Sequence, residues 1–449
     1  MQKILLQVVS FLTIIVLVVT GCTERNTPDN GNGNENGSSS RGDTTITTTD
    51  TIRITWNGAS ASIESSHEGV SISNENGYVT VNSTVKDLSY LLSGEGQGQL
   101  TIYGTNRHQL ILNALTLTCS DGPAINNQCK KSCFVVLQGA NSLTDGTSYA
   151  SSSEDRKEAF FREGQIIVSG SGSLNIQGNY KHALASDDYI EFAQSTGTLN
   201  LNAASDGIHA NDGIFIEGGT FTITSTDEGI RTDSNTIEIN GGTISVVSKS
   251  EGIESKGTLV INGGYVYSQS ADDAINAGGD FTINGGCVCA YSTGNDGMDA
   301  NGNCYIKGGI VYAIGSGSPE VGIDANSEER KQLYVEGGTL VAIGGLENGA
   351  SLTQTCYSTS SWSKNTWYAL TVGSDVFAFK TPQSGGTTLV VSGASTPTLQ
   401  KSVTASGTEI FNGMGYYPAS VSGGSNVTLS QYTGGNGGPG GGGGPGHGW

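Results

Sequence analysis

Basic residues are scarce in this chain: 21 Lys and Arg stand against 41 Asp and Glu, for a formal net charge of -20. So acidic a surface makes nucleic acid and anionic membrane surfaces poor partners. Cations, neutral polymers and cation-bridged anionic polymers suit it better. Catalytic signatures are also missing. The histidines His67, His108, His182, His209 and His447 are scattered, and no Ser-His-Asp, HExxH or Walker pattern occurs. No CxxC motif with a partner motif is present, which argues against a structural zinc site. Of the eight cysteines, Cys119, Cys129 and Cys133 could pair among themselves or with Cys356 in an exported protein, and the spacing leaves the pairing open.

The ends of the chain are not fold material. Lys3 precedes the apolar run ILLQVVSFLTIIVLVVT, followed at once by Val19-Thr20-Gly21-Cys22. This is the pattern of a bacterial lipoprotein cleavage box. Residues 1–21 read as a signal peptide, with Cys22 as the lipidated mature N-terminus; the alternative is an uncleaved anchor helix. Because Thr23 rather than aspartate follows Cys22, an outer-membrane or cell-surface location is expected, with lipid as the membrane contact. Residues 22–43, rich in Asn, Gly and Ser, read as a tether. Residues 434–449, nearly all Gly and Pro, read as a disordered tail.

Between the ends lies a ladder. Gly-Gly pairs stand at Gly218-Gly219, Gly241-Gly242, Gly263-Gly264, Gly285-Gly286, Gly308-Gly309 and Gly337-Gly338, spaced by 23, 22, 22, 23 and 29 residues. Such a period, with short strands between turns, marks a stacked single-chain coil. Before each pair, Ile214, Ile237, Leu259, Phe281, Cys304 and Leu333 share one register, and an apolar residue follows two places later. Alternation with period two puts both columns on one strand face. A third run aligns Ile208, Ile230, Ile253, Ile275, Met298 and Ile323. Three short strands per coil predict an all-β, right-handed parallel β-helix with coils about 4.8 Å apart. The Gly-Gly pairs would turn corners needing positive φ, and Cys304 would pack inside. The regular helix is placed at 166–345, an N-terminal cap and first coils at 44–165, and a β-rich C-terminal cap at 346–433.

Two outward columns carry chemistry. At the corner before the third strand, Asp206, Glu228, Glu251, Asp273 and Asp296 share a register. Asp227, Asp272, Asn295 and Glu320 stand one place earlier. Three places later come His209, Arg231, Glu254, Asn276, Asp299 and Asp324. Carboxylates about 5 Å apart repel by about 1 kcal/mol in water and about 3–4 kcal/mol at an effective dielectric of 20. Calcium, which takes six to eight oxygen ligands, is the cation expected. Its expected ligands are Glu251, Asp272, Asp273, Asn276, Asn295, Asp296 and Asp299; the alternative is a solvated acidic corner built on turn chemistry. On the strand after Gly-Gly, Tyr265, Tyr267, Tyr291 and Tyr312 point outward, as rings able to stack on sugar faces. The alternative for these is ordinary β-propensity or burial beneath a loop. No catalytic residue stands out.

The stretch ITWNGASASI…VTVNSTVKDLSYLLSG…LTIYG…LILNALTLTCSDGPAI…SLTDGTSY, the repeated [DE]-G-I and I-x-[IV]-x-G-G units, and the closing VGSDVFAFKTP resemble a bacterial β-helical carbohydrate-binding family across about residues 52–400. The resemblance implies cell-surface binding of polysaccharide, including cellulose-like and acidic, pectin-like chains. It also implies a fold similar to family 9 pectate lyases, with bound calcium. Those lyases use a DDxxD-type motif. Here Asp272-Asp273-Ala274-Ile275-Asn276 ends in Asn, and Asn295-Asp296-Gly297-Met298-Asp299 begins with it. The expected function is therefore a lipid-anchored, calcium-stabilised polysaccharide binder. The alternatives are a calcium-dependent polysaccharide lyase, for which Lys249, Lys256 and Lys307 could supply a base, and a structural or adhesion spacer.

Overall fold

A computed structural model describes residues 45–434 except 65 and 155. The leader, Cys22, the tether and the tail beyond Gly434, with His447, lie outside the described residues. The described chain is a right-handed parallel β-helix, and its one helical element among them is a 3-10 turn at Ser327–Glu329.

Each coil contributes one strand to each of three parallel ladders. The ladder before Gly-Gly stacks Ile214–Ile216 on Thr236–Ile239, Thr258–Ile261, Phe281–Ile283, Cys304–Ile306 and Leu333–Val335 in unbroken register. The ladder after it stacks Thr220–Ser225, Thr243–Val247, Tyr265–Ser270, Cys287–Ser292, Ile310–Ile314 and Thr339–Ile343. The third stacks Ile208–Ala210, Ile230–Thr232, Ile253–Ser255, Ile275–Ala277 and Met298–Ala300, and isolated bridges extend it to Ile323 and Leu346. The inward columns, Cys304 among them, form one continuous apolar core.

The second glycine of every pair turns the corner with φ between 82 and 102°. At Gly286 an added Cβ would lie 2.8 Å from the Gly264 carbonyl oxygen, because consecutive corners sit directly over one another. Just before the glycines, Asn262 donates to Asn240 and Asn284 donates to Asn262, both at 2.7 Å. This amide ladder satisfies corner groups that water would otherwise have to solvate.

The first coils carry a buried polar cluster. His108 Nε2 lies 2.9 Å from Asn127 Nδ2, and the Arg162 guanidinium donates to Asn127 Oδ1. Burial, reinforced by the nearby Arg162 charge, pushes the His108 imidazole down to about 3. None of the seven described cysteines forms a disulfide; Cys119, Cys129, Cys133 and Cys356 are all free thiols.

Leu389–Ser392 pairs antiparallel with the last coil strand, Thr339–Ile343, and with Cys356–Thr359, covering that edge. The strands Trp367–Val372, Asp375–Lys380, Thr398–Ile410 and Gly415–Val427 form a closed antiparallel barrel. This barrel lies against the flank of the helix, on the outer face of the ladder after Gly-Gly.

Two expectations follow. Gly286→Ala should destabilise the fold by about 1–3 kcal/mol in urea unfolding. His108 has a folded pKa below its unfolded value near 6.5, so its contribution is complete above about 6.5 and is lost as pH falls toward 3. Across that window His108→Gln should flatten the loss of stability by up to about 1.4 kcal/mol per pH unit, read by denaturant titration of both proteins.

Candidate functional site

The acidic corner is built by the turn that enters the third ladder. Backbone bonds run from Gly207 N to Glu228 O, Gly252 N to Asp273 O and Ala274 N to Asp296 O at 3.0–3.2 Å. They hold Asp206, Glu228, Glu251, Asp273 and Asp296 in one column. The neighbouring column pairs His209 with Arg231, Arg231 with Glu254, Glu254 with Asn276, and Asn276 with Asp299.

Charge is handled differently along this edge. In the earlier coils the protein supplies its own cations. Asp206 Oδ2 lies 3.0 Å from His182 Nδ1 and 2.8 Å from His209 Nδ1, and His209 Nε2 lies 3.2 Å from Asp233. Burial alone would push Asp206 up and His209 down. The hydrogen bonds between them reverse both effects, holding Asp206 below the usual carboxylate range and His209 up at about 9. The His209 bond draws Asp233 down to about 2. Arg231 bridges Glu228, Asp233 and Glu254, and Lys256 pairs with Glu254.

The later coils differ. Among the described residues, no Lys, Arg or His forms an ion pair with Asp272, Asp273, Asp296, Asp299, Glu320, Asp324 or Glu347. Asn295 donates to Asp272 at 2.7 Å and Asn276 to Asp273 at 3.1 Å, while the Asp296 backbone N–H donates to Asp273 Oδ1 at 2.9 Å. These bonds do not offset the accumulated charge. Burial, with Asp299, Asp296 and Asp272 nearby, raises Asp273 to about 9. Burial beside Asp299, Glu320 and Glu347 raises Asp296 to about 8. Burial also lifts Asp299 to about 6, and lifts Asp324, hydrogen-bonded to Glu347, to about 11.

Six of the seven expected calcium ligands, Asp272, Asp273, Asn276, Asn295, Asp296 and Asp299, lie along this stretch of edge and touch in pairs; among the described residues no three of its carboxylates bring oxygens within 4.8 Å of one another. Glu251 sits one coil before Asp273 and accepts from the Ser250 hydroxyl. Glu320, Asp324 and Glu347 join the cluster without having been among the expected ligands. Glu347 follows Leu346, whose bridge to Ile323 carries the register through the irregular coil. The donor set is carboxylate and amide oxygen throughout, which fits a hard cation such as calcium.

The four tyrosines do not form an exposed column. Tyr312 is 0% and Tyr267 7% exposed, buried with Cys289 and Val341 against Tyr368, Phe377, Phe379 and Phe411 of the barrel. They point outward as the period requires, but Tyr-Cys-Tyr-Val is an apolar row that water would not tolerate uncovered. Tyr291 is half-buried. Tyr265, 48% exposed, is the available ring. It lines a groove of about 820 Å³ floored by the Gly-Gly corners and walled by Asp375 and Tyr417. Sequence reasoning also missed the stacked pair Tyr305 and Tyr334, with ring centroids 5.0 Å apart; both occupy the outward middle position of the ladder before Gly-Gly.

Fold and edge together define a parallel β-helix with an acidic face and an aromatic-lined groove. The profile of the carbohydrate-binding domain-containing family matches residues 73–325, more than half of the chain, and this chain belongs to that family. Membership supports polysaccharide binding in general. No curated protein matches the chain. Among solved structures, a polysaccharide lyase-like protein from C. thermocellum, determined as a gadolinium derivative, is similar at 18% identity and a TM-score of 0.43, covering 61% of this chain and 96% of that one.

The burial pattern predicts that Tyr312→Ala destabilises the protein by about 3–5 kcal/mol. Tyr265→Ala should stay within about 0.5 kcal/mol of the parent, by thermal or urea unfolding.

Proposed function

We propose that the chain binds acidic polysaccharide through calcium held on the edge between Asp272 and Glu347. The observation that carries this reading is the change along one edge. Earlier coils pair their acids with His182, His209, Arg231 and Lys256, although burial still raises Glu228 and Glu254 there, whereas the later acids have no ion-pair partner among the described residues. Seven carboxylates so placed need either protons or an external cation. Calcium suits them because it accepts many oxygens with flexible geometry. Asp273, Asp296 and Asp299 would hold it, helped by Asp272 and the side-chain carbonyls of Asn276 and Asn295. Bound there, calcium supplies positive charge to an edge that otherwise repels uronate.

The groove beside Tyr265 and Tyr417 favours a second reading, in which neutral sugar rings stack without metal. We place the protein at the cell surface, held by lipid on Cys22. A lyase would need a base at the calcium edge. Lys256 is engaged by Glu254, and Lys307 lies 4.8 Å over the Tyr305 ring; of the three candidates, exposed Lys249 is the base left for that reading.

Retention of polygalacturonate and cellulose by the purified chain separates these readings. Polygalacturonate retention should need calcium, be lost in chelator and fall at least about tenfold in Asp273→Asn and Asp296→Asn. Retention that survives chelation but is lost in Tyr265→Ala would favour the neutral groove. Retention of neither polymer would overturn glycan binding for these classes.

A further inference from the structure

His182, His209 and Asp206 form a donor set of a different kind from the calcium edge. They are not stacked in one column: Leu184 pairs with Ile208, so His209 stacks over Ala185, not over His182. His182 begins its strand three residues earlier, and its ring reaches the corner from the side. The two imidazole rings meet at 4.7 Å between centroids and 72° between planes. Both present Nδ1 to the same oxygen, Asp206 Oδ2, at 3.0 and 2.8 Å. Two nitrogens and one carboxylate oxygen lie within 4.8 Å of one another, as do carboxylate oxygens of Asp206, Asp227 and Glu228.

Metal–ligand bonds of about 2.0–2.1 Å at tetrahedral angles put donor atoms about 3.3–3.4 Å apart, a spacing that donors already within 4.8 Å of one another can reach by small side-chain shifts. Two imidazoles and a carboxylate on one face are the donors favoured by first-row divalent ions, whereas calcium and magnesium prefer oxygen alone. An independent observation points the same way. Glu228 is 5% exposed, and its Oε2 is buried without a hydrogen-bond partner, although its Oε1 receives Arg231 at 3.2 Å. A buried carboxylate oxygen left without a donor is costly, and this one belongs to the group beside Asp206. The surroundings are those of a supported ligand set. Asp233 lies 3.2 Å from His209 Nε2, the arrangement by which a carboxylate fixes a ligating imidazole. Ser205 donates to Asp206 Oδ1 at 3.0 Å and to Asp227 at 3.3 Å. His182 Nδ1 accepts from the Asp206 backbone N–H at 3.3 Å, a bond an ion at that nitrogen would displace.

We infer that His182, His209 and Asp206, with Glu228 completing the set, form a second cation site that takes a zinc-class first-row divalent ion. The site is distinct in place and in donor chemistry from the calcium edge, and it needs no cysteine. An ion there would tie three successive coils together at the corner and replace the His209–Asp206–Asp233 ion pairs as the source of positive charge.

Isothermal titration of the chelator-stripped full chain with zinc chloride tests this, with cobalt(II) as a spectroscopic probe in parallel. The expected result is one zinc per chain, with cobalt(II) d–d absorption intensified and red-shifted from that of the aqueous ion on binding. His182→Gln and His209→Gln should each weaken zinc at least about tenfold, and Asp233→Asn about tenfold by loosening His209. Asp273→Asn should leave zinc affinity unchanged, which separates failure here from failure of the calcium reading. Absence of zinc binding, or equal affinity in both histidine variants, would overturn the site. If those variants do not fold, the parent decides: cobalt(II) not bound, or bound with d–d bands no stronger than those of the aqueous ion, overturns it.

Discussion

The constraint on which the rest of this molecule depends is parallel, in-register stacking. Every residue of one coil lies about 4.8 Å from its counterpart in the next, so whatever a position does is repeated along a row. For isoleucine the repetition is favourable and builds a core without a size limit. For asparagine it is favourable too, as in the chain of bonds through Asn240, Asn262 and Asn284. For glycine it permits corners too close for a side chain, as at Gly264 and Gly286. For carboxylates it is unfavourable, because each new coil adds a like charge at short range.

Three answers to that last problem occur on one edge. Cations from the chain itself serve the coils around His209 and Arg231. Amide bonds from Asn276 and Asn295 soften the next coils. From Asp273 to Asp324, burial and mutual repulsion leave carboxylates that hold protons well above their ordinary range. Folding alone gives no reason to collect such groups, since hydrophobic or neutral residues would fit the same columns at lower cost. The edge is therefore where a ligand is to be sought. Family membership gives the class of partner, carbohydrate, while the edge gives the chemistry through which an acidic form of it could be held.

Most of the fold could be read from the chain because a coil repeats its own evidence. Ile214, Ile237 and Leu259 are weak signals singly and strong in a row. The same arithmetic sets Asp272 and Asp273 one coil from Asp296 and Asp299, the register that pairs Asn276 with Asp299. It failed where the period breaks. The 29-residue spacing between the last two Gly-Gly pairs hid Glu347. The barrel could not be read because its long strands, Thr398–Ile410 and Gly415–Val427, are polar and locally paired. With it went the burial of Tyr267 and Tyr312, although an outward row of Tyr, Cys, Tyr and Val is itself a sign that something covers it. His182 and His209 escaped for another reason: they meet across a corner from different strand positions, and no periodic count aligns them.

The most direct test of the account is a crystal structure of the full chain grown with calcium at neutral pH. The account predicts an ion coordinated by Asp273, Asp296 and Asp299, with carboxylate oxygens turned toward it from at least two successive coils. An edge that stays free of metal, its carboxyls hydrogen-bonded to one another as protonated acids, would contradict it.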